Sequence, residues 1–261
     1  KEHISLIGAG LAGPVMATYL SKLGFTVSIY ESRTDMRVNS QSAGRSINLA
    51  LSARGIKALK DIGVYDKIKP TLIPMSGRMI HDADGKTHLQ PYGQKRNEVI
   101  YSVSRSNLNK SLMDHAELDG KVKLYFNHNL IDIDLKNFKL NFQSKSKSFY
   151  KILGSDGASS KVREAIRKNS DVHCSKKPLG HGYKELTILP NKDGEFRLEE
   201  NALHIWPRGE FMLIALPNSD QSFTCTLFLP MEGDNSFASL KTEREVLEFF
   251  KIYFPDAEEL M

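Results

Sequence analysis

The stretch "HISLIGAGLAGPVMATYLSKLGFTVSIYE" (residues 3–31) reads strand, helix, strand, and carries Gly8-x-Gly10-x-x-Gly13 at its first join. "HISLI" (His3–Ile7) and "TVSIYE" (residues 26–31) read as strands, and residues 12–23 between them read as a helix. Glycines at that join have a physical use. Gly8 permits a tight turn, Gly10 lets backbone approach a pyrophosphate, and Gly13 lets the helix pack close to the sheet. Pro14 is tolerated because first-turn N–H groups have no intrahelical partner. Those free N–H groups and the positive dipole end of the helix face an anion. Glu31 ends the second strand 18 residues after Gly13, where a carboxylate accepts hydrogen bonds from ribose hydroxyls. The glycines alone are weak evidence. Glycines, flanking βαβ unit and terminal acid together predict an α/β, Rossmann-like domain for a dinucleotide. The acid favours an unphosphorylated adenosine ribose, hence FAD or NAD over NADP.

At 261 residues the chain has room for one large domain or two small ones. Its apolar content of 40% and charged content of 26% are those of a globular protein with a sizeable core. The net charge of +5 comes from lysines spread along the chain, apart from a short "KSKS" patch at residues 145–148. Nucleic-acid binding calls for a focused basic stripe with interleaved aromatics, which is absent, so no nucleic-acid partner is expected. Cys174 and Cys225 form no C-x-x-C and read as a reduced pair. The eight histidines show no H-x-x-x-H spacing, so no metal site is expected. The chain enters a strand almost at once, and no signal peptide is expected. The longest weakly charged stretch, residues 211–231, is broken by the turn Pro217-Asn218-Ser219-Asp220. It reads as a hairpin, not a membrane span.

Further along, "INLALSARGIKALKDIG" (residues 47–63) has helical spacing in its second half, with Gly63 as a cap. Residues 104–118 predict another helix, with Leu108, Leu112 and His115 on one stripe. "KVKLYF", "LIDIDL" and "FKLNFQ" (residues 121–143) suggest a β-meander, and "FYKILGSDG" (residues 149–157) a buried strand ending in a glycine-rich turn. After about residue 170 the pattern is mainly strand, closed by an amphipathic helix over residues 242–254 that Pro255 stops. The strands on either side of Pro217 are apolar on both faces, so they are covered on both sides or line an apolar pocket.

"SGRMIHDADGKTHLQPYG" (residues 76–93) places Arg78 and Tyr92 on either side of an Asp82-Ala83-Asp84-Gly85-Lys86 turn. Such a hairpin brings two hydrogen-bond donors together. By itself, a solvated sheet edge is the plainer reading. "GSDGASSKVR" sets Gly154, Asp156 and Gly157 directly after a strand, with Arg163 shortly downstream. Alone it is a common turn. After a Rossmann start and a meander, it resembles the second fingerprint of FAD-dependent aromatic hydroxylases of the p-hydroxybenzoate hydroxylase type.

The resemblance narrows through "RSINLALSARG" (residues 45–55), "GRMIHDADG" (77–85), "SVSRSNLN" (102–109), "LHIWPRGEFMLIALPN" (203–218) and "TCTLFLP" (224–230). Together they resemble the kynurenine 3-monooxygenase family, over nearly the whole chain. The resemblance implies FAD as cofactor, NADPH as electron donor, and kynurenine and O2 as substrates. It implies cofactor contacts from Gly8, Gly10, Ala12, Gly13, Tyr30, Glu31, Ser32, Arg33, Ala50, Arg105, Leu130 and Asp156. Arg78 and Tyr92 match the pair that grips the substrate's carboxylate, and Leu203, Leu216 and Phe228 match the apolar wall around its ring. No protein side chain is assigned as catalytic, since the flavin performs the chemistry. The implied organisation is a discontinuous FAD-binding domain (residues 1–69 and 99–169) and a mainly β substrate domain (70–98 and 170–261). A homodimer is the expected assembly and the cytoplasm the expected location. For a eukaryotic full-length homologue, the expectation is a mitochondrial outer-membrane anchor in a C-terminal part outside this chain. The family's third motif, Gly-Asp followed by a Pro-Phe-x-Gln-Gly loop, does not occur in these residues, so the chain reads as a fragment.

Overall fold

The computed structural model describes residues 2–38, 48–95 and 97–260. Arg45, Ser46 and Ile47 of the 45–55 phrase lie outside the described residues. In chain order the elements are β1 (His3–Ile7), α1 (Ala12–Lys22), β2 (Thr26–Tyr30), β3 (Asn48–Leu51), α2 (Ala53–Ile62), α3 (Tyr65–Ile68), β4 (Ile73–Met75), β5 (Gly77–His81), β6 (Thr87–Pro91), β7 (Ile100–Ser104) and α4 (Arg105–Glu117). They continue as β8 (Val122–Tyr125), β9 (Leu130–Asp134), β10 (Lys139–Phe142), β11 (Ser146–Ser148), β12 (Lys151–Gly154) and α5 (Lys161–Asn169). The rest are β13 (His181–Ile188), β14 (Ala202–Arg208), β15 (Phe211–Pro217), β16 (Phe223–Pro230), α6 (Glu243–Tyr253) and α7 (Pro255–Glu258). Among the described residues they form two compact units, one of residues 2–38, 56–69 and 105–175, the other of residues 48–55, 70–95, 97–104 and 176–260.

The first unit is built on a parallel sheet in the order β12-β1-β2-β8. Side chains alternate along its strands, so each face gathers its own core. Leu6, Val27 and Ile29 pack with Ala17 of α1 and Met113 and Ala116 of α4. Ile7 and Tyr30 point the other way, into a cluster with Leu130, Leu140 and Phe142 from the antiparallel sheet β11-β10-β9 and Val162 and Ala165 of α5. Two expectations need correction. Residues 122–125 do not start the meander: β8 runs parallel beside β2, Val122 opposite Val27. The meander's third strand is instead β11, within the lysine-rich patch. The strand at residues 151–154 is not buried, because β12 is the sheet's edge and Leu153 is 38% exposed. Apolar content cannot distinguish an edge strand from a central one.

The second unit holds a mixed six-stranded sheet, β13-β16-β15-β14-β5-β6, and a small sheet, β3-β7-β4. Residues 48–51 belong here because β3 pairs antiparallel with β7, Asn48 opposite Ser104. The apolar run on both sides of Pro217 becomes β15 and β16, inner strands of the large sheet. Trp206, Leu213, Phe223 and Leu227 form its core with Phe249, Phe250 and Phe254 from the C-terminal helices. Thr242 opens α6 with a reciprocal cap, its hydroxyl accepting from the Glu245 N–H while the Glu245 carboxylate accepts from the Thr242 N–H. Pro255 ends that helix and begins α7.

Asp256 ties α7 to the sheet. Its Oδ2 accepts the Trp206 indole N–H at 2.7 Å and lies 3.0 Å from Nδ1 of buried His81. Asp256→Ala is expected to destabilise this unit by about 1.5–3 kcal/mol, the contribution of a hydrogen bond to a charged group. Urea unfolding followed by Trp206 fluorescence reads the loss, and Asp256→Asn, which keeps an acceptor, should recover part of it.

Candidate functional site

The glycine turn sits where β1 ends. Gly8 adopts φ +99°, which side-chain-bearing residues rarely enter, and a Cβ there would meet the Ser155 carbonyl oxygen at 2.6 Å. A Cβ on Gly13 would overlap the Gly8 carbonyl oxygen, whereas beside Gly10 there is open space. The return turn after β12 is locked to the same point. The Ser155 N–H donates to the Ile7 carbonyl at 2.8 Å, and the Ser155 hydroxyl donates to Gly8 O at 2.9 Å. Both turns therefore stand side by side at the carboxyl ends of adjacent parallel strands, the place where open α/β sheets bind ligands.

Glu31 follows β2 and is buried, with 6% exposure. Its Oε2 accepts the Ala9 N–H at 2.8 Å, and its Oε1 accepts the Arg33 N–H at 2.9 Å and the Arg33 Nε–H at 2.8 Å. Burial alone would raise its pKa, but the donors from Arg33 and Ala9 outweigh it and hold the carboxyl at about 2. Asp156 faces α5: its Oδ1 accepts the Ser160 hydroxyl and its Oδ2 the Lys161 N–H, both at 2.6 Å. Arg163 turns its guanidinium to the Ala158 carbonyl instead.

These residues line a groove of about 680 Å³, within the roughly 300–1,000 Å³ of small-molecule sites. Of the residues expected to touch a cofactor, it brings together Gly8, Gly10, Ala12, Tyr30, Glu31, Ser32, Arg33, Arg105, Leu130 and Asp156. Gly13 lies beneath the turn as packing, and Ala50 falls on β3 of the second unit. Sequence reasoning missed Ser155, Lys161, His128 and Asn129, which also line the groove. The Asn127-His128-Asn129 run was the available signal, a turn-forming cluster whose Asn127 adopts φ +57°. The residues fit an adenine dinucleotide: an open glycine turn at a helix N-terminus, a buried carboxylate for ribose, and cations at Arg33, Arg105 and Lys161. Gly13→Ala forces α1 away from the Gly8 carbonyl. It is expected to cost about 1–3 kcal/mol of stability and to lower the amount of dinucleotide retained, read by thermal unfolding and absorbance.

In the second unit, Arg78 lies opposite Gln90 in the β5–β6 hairpin, and Tyr92 follows just past the end of β6. Tyr92 is thus the diagonal neighbour of Arg78, and the guanidinium lies 5.2 Å from its ring centre. The Tyr92 hydroxyl oxygen is buried and meets no hydrogen-bond partner. Burial raises its pKa, with the Arg78 charge opposing. No carboxylate forms an ion pair with Arg78 among the described residues. Leu203 pairs with Arg78 across β14 and β5, and His204 pairs with Ala215. Continuing that register by one residue sets Leu203 opposite Leu216, which pairs with Thr224. Phe228 lies on the same face four residues along β16, about 13 Å away at the usual rise per residue. Arg78, Leu203 and Leu216 therefore share one cross-strand row, and Phe228 stands apart from it. No cluster of metal-ligating side chains occurs among the described residues. No helix among them is long and apolar enough to cross a membrane.

A parallel βαβ sheet with paired glycine turns at the carboxyl ends of its strands defines a dinucleotide-binding α/β protein. The chain belongs to the FAD binding domain family, whose profile matches residues 2–181. It is 44% identical to a kynurenine 3-monooxygenase of Myxococcus xanthus over all of this chain and 58% of that protein. It is 46% identical to one of Sus scrofa over 98% of this chain and 55% of that protein. The chain thus spans little more than half the length of the curated relatives it matches. Among solved structures, it is similar to tetrameric 2-methyl-3-hydroxypyridine-5-carboxylic acid oxygenase, with a TM-score of 0.77 and 19% identity over 100% of this chain and 66% of that one. It is also similar to a variant of Klebsiella pneumoniae HpxO complexed with FAD, with a TM-score of 0.75 and 14% identity over 100% of this chain and 66% of that one. At those identities the likeness is one of fold.

Proposed function

We propose that this chain is the FAD- and substrate-binding part of a kynurenine 3-monooxygenase, which hydroxylates L-kynurenine to 3-hydroxykynurenine with NADPH and O2. The observation that carries the reading is the Arg78–Tyr92 pair. A cation without an ion-pair partner among the described residues lies over a phenol whose buried oxygen lacks a partner, at the end of an apolar cross-strand row. An amino acid with an aromatic ring matches that chemistry: its carboxylate takes the guanidinium fork and the phenol O–H, and its ring takes the leucines. The curated relatives' shared name supports the same substrate.

Bound FAD, reduced by NADPH, would supply the activated oxygen. The protein's own residues bind and orient. The Gly8 turn and the start of α1 hold phosphates, Glu31 and Arg33 hold the adenosine end, and Arg105, Leu130 and Asp156 contribute from the groove wall. Arg78 and Tyr92 fix the position of the ring, and Leu203 and Leu216 keep water from it. No side chain is required as a nucleophile. A homodimer and a cytoplasmic location belong to the same proposal, read by sedimentation and cell fractionation. The reading is tested by incubating the full-length protein with NADPH, O2 and kynurenine. Stoichiometric 3-hydroxykynurenine supports it. NADPH oxidation that responds to another aromatic acid but not to kynurenine would transfer the assignment to a different flavin hydroxylase.

A further inference from the structure

Asn109 is buried within α4, with 5% exposure, and is not part of the groove lining. Its Nδ2 donates to the Ala9 carbonyl at 3.1 Å and lies 3.3 Å from the Met36 sulfur. Its Oδ1 is buried with no hydrogen-bond partner. Turning the amide over would only set that oxygen against the Ala9 carbonyl, two acceptors face to face. Leucine, nearly the same shape, would fill the place beside the apolar Met113 cluster and remove the Oδ1 orphan, but would leave the buried Ala9 carbonyl without its donor. The hydrogen bond that the amide does make is spent on the Ala9 carbonyl.

Ala9 is the residue between Gly8 and Gly10, and side chains hold both of its backbone groups. Its N–H donates to Glu31 and its carbonyl accepts from Asn109. The Ala9 carbonyl and the Gly10 N–H belong to one planar trans peptide, so they point in opposite directions. Drawing the carbonyl toward α4 turns the Gly10 N–H away from α4. Gly10 lines the groove, and its N–H has no protein acceptor among the described residues. We propose that Asn109 is a positioning residue for the dinucleotide: it fixes the Ala9–Gly10 peptide so that the Gly10 N–H faces the pyrophosphate. The inference rests on the FAD-binding family and is independent of the substrate.

The test uses Asn109→Leu and Asn109→Asp in the full-length protein stripped of flavin. Titration with FAD measures affinity, thermal unfolding of the flavin-free protein measures stability, and phosphorus-31 resonances report on the bound pyrophosphate. Asn109→Leu should bind FAD on the order of 10-fold more weakly, with shifted phosphorus resonances, beyond any change in its unfolding temperature. In Asn109→Asp the protonated acid can still donate to Ala9, whereas the carboxylate repels it. Its FAD affinity, relative to the parent, should therefore fall on the order of 10-fold as pH rises through the acid's titration. FAD affinity within about twofold of the parent in both variants would overturn the proposal. So would affinity that falls only in step with the unfolding temperature, or failure of either variant to fold, since each assigns the amide to the core.

Discussion

Arg78→Met in the full-length protein is expected to weaken kynurenine binding by roughly 30-fold to several-thousand-fold. Arg78 is exposed here. A proposed bound substrate would desolvate the charged pair it forms, and losing one partner of such a pair costs about 2–5 kcal/mol. Methionine keeps much of the side-chain length but none of the donors, so the substrate carboxylate loses its guanidinium fork and keeps only Tyr92. The diagonal placement of the two side chains makes the effect specific. The guanidinium lies 5.2 Å from the Tyr92 ring centre, so losing it removes both the fork and the charge over that ring. FAD content should not change, because Arg78 lies on β5 and is not part of the flavin groove. Decarboxylated kynurenine lacks the group Arg78 is proposed to hold, and should bind parent and variant with similar weakness. Titration followed by flavin absorbance measures all three. Equal kynurenine affinity in both proteins would leave the arginine as a surface residue and withdraw the main structural support for the substrate.

Glu31→Ala is the second large effect. Ribose hydroxyls donating to an ionised carboxylate contribute about 1.5–3 kcal/mol each, so loss of even one proposed ribose contact is expected to weaken FAD retention by at least on the order of 10-fold. The same change leaves the Ala9 N–H without its acceptor and frees Arg33, so the glycine turn loosens as well. A pH signature accompanies it. The carboxyl titrates at about 2 in the folded protein, below its ordinary 4.5, so its contribution is fully present above about pH 4.5 and is lost as pH falls toward 2. Arg33 is 60% exposed and its share is screened by solvent, which leaves about 2–3 kcal/mol in that window. Acid unfolding of the parent should show this loss and Glu31→Ala should not. Equal flavin occupancy after gel filtration would remove Glu31 from the site.

The Rossmann start was legible because every signal lies within one short run. Period-two strands flank a helix, glycines sit at the join, and β1, α1 and β2 end within a residue of their expected limits. The hairpin around Asp82–Lys86 was legible for the same reason, with Gly85 at φ +81° closing the turn. Pairing between distant strands was not. Residues 122–125 have the composition of a meander strand, yet β2 claims them for the parallel sheet, and β12 reads as buried although it forms the edge. In the site, the placement of the glycines and Glu31 could be read directly, because it follows from local backbone geometry. The clamp on Ala9 could not, since it depends on α4 packing Asn109 against a turn far away in sequence.

Arg78 and Tyr92 are proposed to hold the substrate's carboxylate while the first unit's groove holds FAD. A crystal structure of the full-length protein with FAD and kynurenine tests this most directly. The carboxylate is expected within hydrogen-bond distance of both the Arg78 guanidinium and the Tyr92 hydroxyl, with the pyrophosphate at the Gly8–Gly13 turn. Kynurenine bound with its carboxylate elsewhere, out of reach of Arg78 and the Tyr92 hydroxyl, would contradict it.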